Sequence, residues 1–541
     1  MNTTLSGSTV APHPRNISPI RDRLSFLWLI LGFGFLLFSN GMQIVPIATW
    51  IGPVFLLRFI RTQKAWLGLL LGFIANGAAF TIYWRPAFLD AGEMFTLASI
   101  IFALFFFIPY IIDRLLKPCI PGFAGTLILP TAFVAAEYLL HLINPLPLGT
   151  FFLLPYTQSD NLPLLQIMSI TGMWSITFLI IWFASVVNYA WEGGFEPRQV
   201  GKGVVFYTVI LVGVLAFGGL RLALFRPTGP TVQVAALTTN VNKEVLPEPD
   251  SEMDQRLGSG NLTEADRREM TEKMNEINTD LITRTRQQAK AGAKIITWTE
   301  YNAETWSDSE AQFLEQAKQV AREEQIYLVF PLIVIEPDVA KRPAPETEWV
   351  NKSVMITPQG EIAYQYVKHN LLVGPESDHA LRGPRVIDSI DTPYGKLASE
   401  ICLDMEYPDF NRLAGQQGVD IMLSGAIDGT PSTQGNPLHS TMASFRTIEE
   451  GFSLARGGFF GANIVVDYQG RTLGSVNHYT AGDRTVVGKV PVKGIKTLYS
   501  TLGDFFPWTC IIMLGVLTVF ALVRGLVRQP QLTLTAEPSR H

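Results

Sequence analysis

The chain has 541 residues, 48% of them hydrophobic and only 16% charged. A soluble globular protein carries roughly a quarter of its residues as charged side chains, so this composition argues for a membrane protein with one polar domain. The formal net charge of −5 gives a nucleic-acid partner no electrostatic support.

Seven apolar segments precede the polar region, at about 24–42, 43–60, 66–84, 94–112, 123–143, 164–190 and 203–225, and an eighth runs from about 507 to 527. Each approaches the roughly 20 residues a helix needs to cross a bilayer. The first is too long for a cleaved signal peptide, has no small-residue cleavage site and is followed by further spans. Basic residues set the orientation. Arg15, Arg21 and Arg23, then Arg58, Arg61 and Lys64, then Arg114 and Lys117, then Arg198 and Lys202, and finally Arg524 and Arg528 fall on one side if eight spans are counted. The termini are then expected in the cytoplasm and residues 230–503 outside. The expected division is a cytoplasmic segment 1–23, a membrane domain 24–229, an extracytoplasmic domain 230–503, a last span 504–528 and a tail 529–541. Glu137 lies inside the fifth apolar run. A charge at membrane depth is a functional candidate by default, and a buried hydrogen-bonding role is the alternative.

Residues 230–503 alternate strand-like and helix-like patterns. Val232–Leu237 and Ala293–Thr299 read as strands. A helix at about 263–290 carries Met270, Met274, Ile277 and Leu281 on one face, and a second at about 308–323 carries Phe313, Leu314, Ala317 and Val320. Strands are expected at 326–335, 351–358, 361–368, 396–402 and 421–424, a helix at about 438–455, and strands at 460–467 and 471–476. The turns Pro358-Gln359-Gly360 and Tyr468-Gln469-Gly470 suit hairpins. This alternation predicts a layered α/β domain large enough to build its own core.

Cys119, Cys402 and Cys510 fall in a loop, in the polar domain and in the last apolar segment, with no disulfide or zinc-ligand spacing. Cys402 ends an apolar strand. Glu300 ends another, and Lys368 a third. Each alone has a bland reading: a loop carboxylate, a surface lysine, a small buried hydrophobe. Together they suit thiol chemistry. A desolvated carboxylate can act as base, a lysine can stabilise an oxyanion, and a thiol beside both can act as nucleophile.

A Glu, a Lys and a Cys in this order resemble the nitrilase, or carbon–nitrogen hydrolase, superfamily. With the membrane half, the chain is similar to the bacterial apolipoprotein N-acyltransferases over nearly its whole length. Gly149–Ser175, Asn351–Leu371, Arg446 with Glu449, and Leu502-Gly503-Asp504 with Trp508 carry the likeness. The resemblance implies a membrane domain of about eight helices under an extracytoplasmic αββα sandwich in a bacterial inner membrane. It implies Glu300, Lys368 and Cys402 as catalytic residues. Glu376, eight residues after Lys368, together with Leu403 and Asp404, would support them or bind substrate. It implies transfer of an acyl chain from a phospholipid through a Cys402 thioester to the N-terminal amine of a diacylglyceryl-cysteine lipoprotein, with no metal or cofactor and with a monomer sufficient. Leu371-Leu372-Val373 would either line the lipid portal or pack in the core.

The chain departs from the family around the nucleophile. Leu403-Asp404 replaces the usual Tyr-Glu, Gly425-Ala426-Ile427-Asp428-Gly429 replaces Asn-Asp-Ala-Trp-Phe-Gly, and Arg456-Gly457-Gly458-Phe459 lacks the usual Asn. A membrane-bound amidase, an acyltransferase to another amine, and a non-catalytic scaffold on the same fold therefore stand as alternatives.

Overall fold

The computed structural model describes residues 22–87, 92–143, 148–241, 245–246, 251–342, 347–429, 438–480 and 482–527. The expected N-terminal segment up to residue 21 and the tail from 529 lie outside the described residues. Among the described residues, six helices are long and apolar enough to cross a bilayer: Ala65–Ala87, Phe95–Leu116, Phe123–Ile143, Trp174–Glu192, Pro197–Leu224 and Phe505–Gly525.

Two of the eight expected spans are shorter than the sequence pattern suggests. The segment 24–42 is helical only over Ser25–Leu36, 12 residues. That is about 18 Å at 1.5 Å per residue, against a hydrocarbon core of about 30 Å. Its partner, Pro46–Thr62, has 17 residues. A tight turn separates them. Gly41 takes φ +82°, and the Asn40 side chain accepts from the Gly41 N–H and donates to the Phe152 carbonyl. The segment 164–190 is also interrupted. Leu162–Leu165 and Met168–Thr171 are short turns before Trp174–Glu192. The break falls at Gly172, with φ +67°, where a Cβ would lie 2.5 Å from the Tyr499 ring.

Glu137 is fully buried and accepts hydrogen bonds from the Leu154 N–H at 3.1 Å and the Thr177 hydroxyl at 2.6 Å. It pins the loop after its own helix to the Trp174–Glu192 helix. This is the hydrogen-bonding role.

The polar region forms two sheets, of seven and six strands, packed face to face. The first runs β13-β1-β2-β4-β5-β6, with β3 beside β4. Its strands are β1 Thr231–Leu237, β2 Ile295–Trp298, β3 Ala303–Trp306, β4 Tyr327–Ile335, β5 Trp349–Ile356, β6 Ile362–Val367 and β13 Thr485–Pro491. The second runs β12-β11-β10-β9-β8-β7. Its strands are β7 Ser389–Thr392, β8 Gly395–Ile401, β9 Ile421–Ile427, β10 Ser453–Phe459, β11 Ala462–Val466 and β12 Thr472–Asn477. Val234, Val329 and Met355 of the first sheet meet Leu397, Leu423 and Val465 of the second in one apolar core. The helices Glu264–Lys290 and Glu310–Glu324 cover one outer face, and Pro408–Gln417 and Leu438–Glu450 the other. The result is an αββα sandwich.

The helix expected to reach 455 ends at Glu450. Gly451, at φ +83°, turns the chain into β10, which pairs parallel with β9. Strands β3 and β7, of four residues each, are too short to show a period in the sequence; β13 and the Pro408–Gln417 helix are further elements beyond those expected.

The sandwich sits directly on the apolar helices. Phe445 and Ile448 of the Leu438–Glu450 helix share a core with Met173 and Trp174. The Met173 N–H donates to Glu449 Oε1 at 2.7 Å, Arg446 donates to the Tyr156 hydroxyl at 3.1 Å, and the Thr150 hydroxyl donates to the Glu406 carbonyl at 2.8 Å.

Replacing Glu137 by Leu leaves the Leu154 N–H and the Thr177 hydroxyl without an acceptor. The expected cost is about 1–3 kcal/mol, read as a lowered thermal midpoint in detergent, with Glu137→Gln losing clearly less. Equal losses in both variants would rule out the hydrogen-bonding role.

Candidate active site

Three parallel-running strand ends deliver the candidate residues to one edge of the sandwich. Glu300 lies just past β2, Lys368 just past β6, and Cys402 just past β8. Strands β4, β5 and β6 alternate in direction, so β6 runs with β2 and ends at the same edge. Glu376 arrives on the short turn Pro375–His379.

Lys368 Nζ lies 2.9 Å from Glu300 Oε1 and 2.7 and 2.8 Å from the two oxygens of Glu376. All three side chains are buried. Asn351 Nδ2, from β5, donates to Glu300 at 2.7 Å and to Glu376 at 3.1 Å. The Leu372 N–H donates to Glu376 Oε2 at 2.8 Å. Burial disfavours the Lys368 charge, but the Glu300 and Glu376 carboxylates outweigh it and hold the ammonium well above its ordinary pKa.

Cys402 takes φ +51°, a sharp left-handed turn between β8 and the 3-10 turn Cys402–Glu406. Its thiol contacts the Ile427 carbonyl at 3.6 Å, and the Ile427 N–H donates to Glu300 Oε2 at 3.1 Å. One backbone unit at the end of β9 therefore touches both the thiol and the carboxylate. Burial, then the Glu300 carboxylate, pushes the thiol pKa well above its ordinary value, against a smaller opposing pull from Lys368. At neutral pH Cys402 is a neutral thiol.

The strained turn is held by Asp404. It accepts from the Tyr366 hydroxyl at 2.8 Å, from the N–H and side-chain amide of Asn370, each at 2.9 Å, and from the Ile401 N–H at 3.2 Å. The Tyr366 and Asn370 donors tie the turn to β6 and to the segment after Lys368, and the Ile401 donor links it to β8. Leu403 is buried in the apolar core behind the turn. Glu400, two residues before Cys402, is fully buried on β8, and neither of its oxygens has a hydrogen-bond partner among the described residues. Burial raises its pKa well above that of a free carboxyl. Beyond Cys402, Asp428 pairs with Arg456, also at 2.8 Å to Nη1, and His439 pairs with Glu406.

The two sheets meet closely here. A Cβ on Gly425 would lie 2.6 Å from the Trp298 carbonyl and 2.8 Å from the Glu300 nitrogen. Of Leu371-Leu372-Val373, Leu371 is buried and the next two are 44% and 45% exposed. The tripeptide thus packs into the core at its first residue and faces outward at the other two.

Residues 33–186 match the family described as apolipoprotein N-acyltransferase N-terminal domain, and residues 264–497 match carbon-nitrogen hydrolase. The membrane half and the sandwich each match one part of that family pattern, so the chain is similar to the apolipoprotein N-acyltransferases of the nitrilase superfamily. It is 23% identical over 489 residues to an apolipoprotein N-acyltransferase of Geobacter metallireducens, covering 84% of this chain and 87% of that one. A Shewanella oneidensis protein of the same description is 22% identical, covering 68% of each chain. An amidase from Nesterenkonia sp. of known structure is 16% identical, covers 49% of this chain and 92% of its own, and has a TM-score of 0.36.

The structure brings together Glu300, Lys368, Glu376 and the Cys402 turn, and gives Asp404 a supporting place. The sequence pattern gave no individual role to Asn351 or Ile427. Asn351 was detectable as a buried amide within the strand segment that carried the likeness. Ile427 acts through its backbone, which leaves no side-chain signal.

Two outcomes are expected. Alkylation of Cys402 by iodoacetamide should keep rising well above pH ~8.5, where an ordinary thiol is half ionised. Glu300→Gln removes a negative charge that disfavours the thiolate, so its profile should move to lower pH; an upward move would contradict the geometry. Gly425→Ala should cost about 1–3 kcal/mol of stability through overpacking, measured by thermal unfolding, and should disturb Glu300 because the clash is at its nitrogen.

Proposed function

We propose that this protein moves a fatty acyl chain from a phospholipid, through a Cys402 thioester, to the N-terminal amine of a diacylglyceryl-cysteine lipoprotein. The observation that carries the reading is the Ile427 bridge, with the thiol on its carbonyl and Glu300 on its N–H. It holds a neutral thiol beside a carboxylate that is already oriented by Lys368 and Asn351.

Glu300 takes the Cys402 proton as sulfur attacks the ester carbonyl of the donor. The oxyanion forms near the Lys368 ammonium and the Leu403 N–H, which lies in the first turn of a 3-10 segment where N–H groups lack intrahelical acceptors. Collapse breaks the carbon–oxygen bond, and protonated Glu300 returns the proton to the departing lysophospholipid. The acceptor amine then attacks the thioester. Its proton passes through Glu300 to the leaving sulfur, restoring the thiol. Glu376 keeps Lys368 in place, and Asp404 keeps the turn in place.

Placing the domain on the membrane suits substrates that cannot leave it. Each CH₂ withdrawn from the bilayer costs about 0.8 kcal/mol, so exposed Leu372 and Val373 give acyl chains an apolar approach to the site. The distribution of Lys and Arg supports placing the sandwich outside the cytoplasmic membrane, and one chain supplies every residue of the proposed reaction, so a monomer suffices. The altered segments Leu403-Asp404 and Gly425–Gly429 bear on which amine is accepted.

Intact-mass spectrometry of the purified chain after incubation with phospholipid tests the reading. A hydroxylamine-labile adduct of one acyl chain on Cys402 is expected in wild type, none in Cys402→Ser, and acylation at least ~10²-fold slower in Glu300→Gln. Adding a diacylglyceryl-cysteine peptide should discharge the adduct onto the peptide amine. Release as free fatty acid would instead mark a hydrolase, and no adduct at all would sink the donor half-reaction.

A further inference from the structure

A second lipid-facing feature lies at the opposite end of the second sheet from Cys402. Strand β11 begins beside Asp428 and runs antiparallel to β10, so the turn after it, Asp467–Arg471, sits at the far edge. This turn docks on the last turn of the Pro197–Leu224 helix. Gln469 Nε2 donates to the Phe225 carbonyl at 2.8 Å, Arg471 donates to the Leu222 carbonyl at 2.5 Å, and the Gln469 carbonyl accepts from Gln166 Nε2 at 3.0 Å.

Beside this clamp is a groove of about 510 Å³, lined by Phe217, Leu220, Leu224, Tyr468, Ile495 and Arg221. The size is within the range of small-molecule sites, roughly 300–1,000 Å³. Its wall continues onto the outward face of a membrane helix, where Phe217, Leu220, Leu224 and Phe225 are exposed. Arg221 is the unusual member. Its Nη1 donates to Gln166 Oε1 at 2.6 Å, but no carboxylate among the described residues lies within ion-pair distance of it. The nearby Asp467 is engaged by Arg471 at 3.6 Å. An arginine at the membrane edge without a counter-ion is costly unless an anion completes it. Arg226 and Lys496, both exposed and next in sequence to Phe225 and Ile495, add positive charge at the rim.

We infer that this groove holds one phospholipid from the leaflet on the sandwich side, its phosphate on Arg221 and one acyl chain along Phe217, Leu220 and Leu224. An apolar wall open to lipid with a cationic head end fits an amphiphile with a phosphodiester, since guanidinium pairs with phosphate oxygens in bidentate fashion. Bound there, the lipid completes the polar clamp between the sandwich and the helix. It is a structural lipid, separate from the acyl donor, and the inference does not depend on acyl transfer.

Native mass spectrometry of the delipidated full chain, titrated with phosphatidylglycerol, tests it. Wild type should bind one phospholipid that Arg221→Gln binds about tenfold more weakly, as expected for loss of one charge-assisted contact. Leu224→Trp fills the groove and leaves Arg221 and its clamp in place, so it should also lose that lipid while remaining folded. Cys402→Ala should keep it. Equal retention in wild type, Arg221→Gln and Leu224→Trp would overturn the site. Equal binding of diacylglycerol would overturn the phosphate contact, and displacement by inorganic phosphate alone would overturn the lipid as occupant.

Discussion

A lysine ammonium buried between two carboxylates is the constraint on which the site depends. Lys368 cannot be taken out of water alone, because an unpaired buried charge costs several kcal/mol. Glu300 and Glu376 both reach it within 3 Å, and Asn351 bridges the same two acids. Satisfying that charge forces the ends of β2 and β6 and the Pro375–His379 turn together. The geometry is therefore set before any substrate arrives, which is what preorganised electrostatic stabilisation requires.

The nucleophile-type turn is attached to this centre rather than built into it. Cys402 takes a backbone conformation that few side chains adopt, and Asp404 offsets the strain by accepting four hydrogen bonds. The same carboxylate reaches Asn370, two residues after Lys368, and so links the thiol turn to the segment that carries the ammonium. Close approach of the sheets at Gly425 brings the Ile427 backbone between Cys402 and Glu300. A larger residue at 425 would separate the two without touching either.

The sandwich is not merely tethered to the bilayer. Thr150, Tyr156, Met173 and Gln166 of the membrane half bond to Glu406, Arg446, Glu449 and Gln469 of the sandwich. Of these anchors, Glu406 ends the Cys402–Glu406 turn itself, and the Leu438–Glu450 helix packs beside that turn. The position of the thiol over the membrane is thus fixed by backbone and side-chain hydrogen bonds in a buried seam, where they are stronger than in water.

The sequence by itself determined the division into an apolar half and an α/β half, because burial in lipid and alternation in a sandwich leave opposite hydrophobic patterns. It also determined Glu300, Lys368 and Cys402 as strand-end residues, since each follows an apolar run, and the likeness to a family added Glu376. Tertiary structure decided the rest. The break at Gly172 exists because Tyr499, more than three hundred residues away, occupies the space of a side chain. The role of Glu137 depends on Leu154 and Thr177, which no local pattern joins to it. Asp404 read as a supporting acid, but its four donors come from three separate segments. Ile427 contributes only its backbone, and a backbone contact is invisible until the chain has folded around it.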